Sequence, residues 1–137
     1  MSHLRIQPIS EKGFTAEAVL DGDELAVRFA GTADLTVKTM MDSFLCQAHA
    51  EMCRGDLGAT TVSVDISGLE FINSSCLMTV VTWITTVHEM AMDRYPISFH
   101  FKPSRNWQTR TVKVFEHLGQ SFVSARSVDE PETTGGA

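Results

Sequence analysis

Two early stretches alternate apolar and polar positions. Phe14, Ala16, Ala18 and Leu20 interleave with Thr15, Glu17 and Val19, a period of two that predicts a strand. Asp21-Gly22-Asp23 carries hairpin-turn chemistry. Leu25, Val27 and Phe29 then alternate with Ala26, Arg28 and Ala30, which predicts a second strand antiparallel to the first. From there the period lengthens. Val37, Met40, Met41, Phe44, Leu45, Ala48 and Met52 recur at helical spacing from about Thr36 to Arg54, with Asp34 or Thr36 as cap and Gly55 and Gly58 at the end. Thr61 to Ile66 is β-branched and bounded by glycines, the mark of a buried strand. Leu77, Val80, Val81, Ile84 and Val87 predict a second helix. Phe71 and Ile72 are large and apolar, so the connection before that helix is expected to pack down onto the core. Ile97, Phe99 and Phe101 alternate as a further strand, and Val112, Phe115 and Leu118 form a short third helix ending at Gly119. Phe122, Val123 and Ala125 supply material for a last strand. The order is β-β-α-β-α-β-α with a final β, which implies parallel pairing behind an antiparallel hairpin.

Asn73, Ser74 and Ser75 stand where the second helix must begin. All three are good N-cap residues, because their side-chain oxygens accept from free N–H groups of the first turn. The positive end of that helix therefore faces two hydroxyls and the Cys76 thiol. Capping alone accounts for one of the serines.

The run VSVDISGLEFINSSCL resembles the signature of STAS domains, the family of sulfate transporters and anti-sigma factor antagonists. Asp65, Ser67, Gly68, Phe71, Ser74, Ser75 and Leu77 match it. Gly31 and Asp34 match the family's Gly-Glu-Leu-Asp turn, and VKVFEHLG resembles its last helix. Two positions depart: Asn73 stands for the usual Asp, and Cys76 for the usual Gly. The resemblance implies an α/β fold, a single domain with a mixed sheet and helices packed mainly on one side. Patterning outside the resemblance leaves a flexible or edge segment at 1–12 and a disordered tail at 127–137, with the domain at 13–126. The resemblance also implies a non-enzymatic regulator that binds an anti-sigma factor, a serine kinase or another regulatory protein. Ser74, and less so Ser75, is the phosphorylation candidate. The implied contact surface is Gly31, Asp34, Asn73, Ser74, Ser75, Cys76 and Leu77. The alternatives are a constitutive assembly module without a phosphate switch, and a redox sensor using Cys76, whose thiol near a helix N-terminus would be acidified.

Charge and composition exclude more than they assign. The 137 residues suit one domain. The net charge of −6, with Arg105 and Arg110 isolated in the sequence, argues against nucleic acid. No stretch is apolar enough to span a bilayer and the first residues carry no apolar leader, so a cytoplasmic protein is expected. Three cysteines suggest free thiols. Cys46, His49 and Cys53 share one side of the first helix, but a metal would need a fourth ligand, and Cys46 reads as core packing. No cofactor and no metal is expected. Trp83 lies off its helix's apolar stripe and would mark an interaction surface if exposed. There is no glycine-rich phosphate loop and no paired carboxylate with a histidine. Homo-oligomerisation stays open.

Overall fold

The computed structural model describes residues 5–55 and 57–128. Their elements are β1 (Ile9–Glu11), β2 (Phe14–Asp21), β3 (Glu24–Ala33), a 3₁₀ turn (Leu35–Val37), α1 (Lys38–Arg54), β4 (Thr61–Ile72), α2 (Ser74–His88), a second 3₁₀ turn (Ala91–Asp93), β5 (Ile97–Phe101), α3 (Asn106–Leu118) and β6 (Val123–Ser127). The six strands form one sheet whose spatial order is the chain order. β1, β2 and β3 run antiparallel. β3 to β6 pair in parallel, with one helix in each crossover. Parallel crossovers are right-handed. Three of them stepping in the same direction place α1, α2 and α3 over one face. The sequence-based expectation of a mixed sheet with helices on one side holds.

The covered face is apolar. Leu25, Val27 and Phe29 of β3 meet Val62, Val64 and Ile66 of β4 in the core, under Phe44 of α1, Ile84 of α2 and Phe115 of α3. The uncovered face is polar, as a half-solvated sheet requires. Glu17, Arg28, Asp65, His100 and Arg126 stand in one cross-strand row there, with Arg28 Nε 3.8 Å from Asp65 Oδ2.

β4 departs most from its sequence pattern. It runs on to Ile72, beyond the glycine at 68. The extension is irregular: pairing with β3 shifts from Arg28↔Asp65 to Ala30↔Gly68. On the other side β5 pairs only as far as Asp65↔His100. Beyond that point Gln108 of α3 stands in for a neighbouring strand. Its Nε2 donates to Ile66 O at 2.8 Å and Leu69 O at 2.9 Å. Its Oε1 accepts from Lys102 N at 2.8 Å. The side chain is fully buried.

The extension turns Phe71 outward. Expected to pack onto the core, it is 51% exposed, while Leu69 takes the inward position. Trp83 corrects the other way. It is buried against Phe99 in an edge-on contact and donates its indole N–H to the Tyr95 hydroxyl at 2.9 Å. The apolar stripe of α2 is wider than its aliphatic residues suggest, because α2 is covered by α1 as well as by the sheet. The first dozen residues contribute the edge strand β1. From Asp129 the tail lies outside the described residues, and Ser127 closes β6.

Candidate functional site

β3 and β4 end side by side, Ala33 opposite Ile72. A polar residue follows each, and each caps the next turn. Asp34 accepts from Thr36 N at 3.0 Å, and Asn73 accepts from Cys76 N at 2.8 Å. The two turns are tied together: Asn73 N donates to Ala33 O at 2.9 Å, and the Cys76 thiol donates to Asp34 O at 3.2 Å. The resemblance grouped the Gly31–Asp34 turn with the Asn73–Leu77 helix start, and the fold places the two turns side by side.

Asn73 alone caps α2. Ser74 follows at the first helical position and is exposed, and Ser75 is half-buried. Neither hydroxyl has a hydrogen-bond partner among the described residues. Apolar side chains lie exposed on the elements around them. Leu35, in the turn packed against α2, is 68% exposed, Phe71 just before the cap 51%, and Met78, one turn after Ser74, 55%. Leu77 is half-buried beside them. Sequence reasoning missed Leu35 and Met78 as surface residues. The available signal was a large apolar side chain inside a capped polar turn, and a methionine at i+4 from an exposed serine.

Gly31 acts differently from a contact residue. Its φ is +93°, and a Cβ there would lie 2.1 Å from Gly13 O. The adjacent Thr32 N donates to that same carbonyl at 2.7 Å. Gly31 therefore lets the β1–β2 turn close onto β3 just before the site.

Cys76 is fully buried, beneath the surface it was expected to help form. Burial pushes its thiol above the usual range, the Asp34 carboxylate adds to the rise, and Lys38 opposes it. A sensor needs an exposed, acidified thiol, so this geometry removes the redox reading of Cys76. The same geometry places its side chain inward, against Asp34 O, and leaves the outer face of the first turn open.

Cys46 and Cys53 are both exposed. Cys46, expected in the core, falls between Leu45 and Ala48 on α1 and points out. His49 Nδ1 lies 2.6 Å from the Tyr95 hydroxyl, and Cys53 Sγ lies 3.4 Å from His49 Nε2. Burial lowers the His49 pKa. Burial also raises that of Tyr95, and the bond from Trp83 partly offsets this. Among the described residues, no three His, Cys, Asp or Glu side chains are grouped to hold a metal. No described helix is long and apolar enough to cross a membrane.

No family model matches the chain, and no curated protein matches it in sequence. Solved structures do match. An anti-sigma factor antagonist from Mycobacterium paratuberculosis aligns with a TM-score of 0.61 at 15% identity, over 88% of this chain and 92% of that one. The anti-sigma factor antagonist SpoIIAA in its unphosphorylated form aligns at 0.52 and 17% identity, over 85% and 88%. Moorella thermoacetica RsbS carrying a serine-to-glutamate substitution aligns at 0.52 and 15% identity, over 82% and 87%. The chain has the STAS fold of these antagonists.

Proposed function

We propose that this chain is a non-enzymatic regulatory domain of the anti-sigma factor antagonist kind, working in the cytoplasm. It binds a protein partner through the start of α2, and phosphorylation of Ser74 by a serine kinase releases that partner. The observation that carries this reading is the division of labour at the helix start. Asn73 already caps α2, so capping does not explain the exposed Ser74 hydroxyl. Leu35, Phe71 and Met78 stay exposed on the elements around it, as a partner-binding surface requires.

The physics of the switch follows from position. A phosphate adds about −1.5 to −2 charges at pH 7. At the first position of α2 those charges meet unpaired N–H groups and the positive end of the helix dipole. The helix survives, and the apolar surface acquires a dianion. A partner that buries this surface must then desolvate the phosphate, which costs several kcal/mol.

Ser74→Asp and Ser74→Ala test this. The two variants and wild type are used to retain proteins from a lysate of the native cells. Ser74→Ala is expected to keep the wild-type partner and Ser74→Asp to lose it. Equal retention by both variants refutes the switch and leaves a constitutive binding module.

A further inference from the structure

Charge is spread unevenly along the chain. It holds 17 acids and 11 bases, yet between residues 94 and 128 stand Arg94, Lys102, Arg105, Arg110, Lys113 and Arg126 with a single acid, Glu116. Two of these bases, Arg110 and Lys113, sit on α3; Arg126 sits on β6 in the polar row of the uncovered sheet face, and Arg94, Lys102 and Arg105 lie in the connections. On α3 the outward residues include Arg110 and Lys113 together with Val114, 53% exposed, and Leu118, 37% exposed. No carboxylate on α3 is exposed, since Glu116 is half-buried.

Beside this basic face, α2 and α3 leave a shallow groove of about 140 Å³. Leu77, Val81, Val114 and Phe115 line it, with Arg110 and Thr111 completing the wall. We propose that this groove docks an amphipathic, acidic segment of a protein partner. One large apolar side chain of that segment fills the dent, and its carboxylates lie against Arg110 and Lys113. Charge complementarity selects this occupant. A helix that sets Arg110 in the groove wall and an exposed Lys113 one turn on, with no exposed carboxylate of its own, suits a ligand that is both apolar and anionic. Phosphodiester backbones offer no apolar anchor. The chain's own acidic tail, Asp129 to Ala137, has no large apolar side chain to supply one. Leu77 belongs to this groove and to the α2 start, so the two surfaces are continuous. The inference rests on the reading that this chain acts by binding protein, and it adds the chemistry of the partner.

The test uses the full chain, labelled with 15N, and a synthetic helical peptide with one phenylalanine flanked by glutamates. A twin with lysines for the glutamates is the control. The glutamate peptide is expected to shift the amides of Leu77, Val81, Arg110 and Val114 saturably. Its affinity is expected to fall as salt rises from about 50 to about 200 mM, because rim charges are screened. Arg110→Glu with Lys113→Glu is expected to weaken binding by roughly tenfold or more, while Arg110→Lys retains it. Equal binding of the twin, shifts that map elsewhere or no saturable binding would overturn the inference. So would stronger perturbation of these residues by a single-stranded oligonucleotide or an anionic vesicle. None of these measurements involves Ser74, so failure here leaves the phosphate switch standing, and failure of the switch leaves the groove standing.

Discussion

Gln108 is a residue whose replacement is costly even where volume barely changes. Its amide makes three hydrogen bonds with no solvent exposure, to Ile66 O, Leu69 O and Lys102 N. Gln108→Met keeps the length and the apolar stem and removes all three. Each buried group left without a partner costs about 1–3 kcal/mol. Partial relaxation of the irregular end of β4 lets water reach some of them, so the expected total is about 3–6 kcal/mol. Against a domain stability of about 5–15 kcal/mol, that is a large fraction. Equilibrium urea unfolding, followed by the fluorescence of Trp83 and Trp107, reads the loss as a shift in midpoint at an unchanged slope. Gln108→Glu adds a check on the cause. A carboxylate there would face two carbonyl oxygens, which raises its pKa in the folded state. Its penalty is therefore smallest below the unfolded carboxyl pKa of about 4.3 and grows as pH rises through the folded value. A loss under about 1 kcal/mol for Gln108→Met, or a Gln108→Glu penalty flat with pH, would refute the account of β4's support.

Further outcomes follow from the thiols, the histidine and the glycine at the site. An aromatic disulfide reagent is expected to react with Cys46 and Cys53 in the folded protein and with Cys76 only on unfolding, since only Cys76 is buried; fast reaction of all three thiols would contradict the burial. Burial lowers the His49 pKa, so stability is full above the unfolded value of about 6.5 and is lost as pH falls toward the folded one. His49→Gln should remove that acid-side slope in thermal melts recorded between about pH 5 and 7. Gly31→Ala combines a positive φ with a clash against Gly13 O and is expected to cost more than about 2 kcal/mol in urea unfolding.

Much of this architecture is legible in the sequence because its signals are local. The period of two in Phe14–Leu20 and Leu25–Ala30 and the period near 3.6 in α1 and α2 each report one buried face. The site is legible in part. Asn73 marks the α2 cap by residue type, and the match of Gly31 and Asp34 anticipates that two turns far apart in sequence come together. What escapes is decided by tertiary pairing. Phe71 faces solvent because pairing with β3 shifts twice, beside Gly68 and again between Leu69 and Phe71, which puts Phe71 on the side opposite the inward Leu69. Trp83 is buried because α1 covers a flank that α2's own aliphatic stripe does not reveal. Gln108 reads as an ordinary polar helix residue, since nothing nearby in sequence shows that β5 leaves β4 two carbonyls short of partners.

The central claim is that Ser74 is a regulated phosphate site at a partner-binding helix start. Phosphopeptide mapping of the protein isolated from its own cells, with Ser74 and Ser75 resolved, tests it most directly. The account predicts phosphate on Ser74 in a fraction of the molecules that changes with growth and stress conditions. Phosphate on neither serine under any condition, or on the half-buried Ser75 alone, would contradict it.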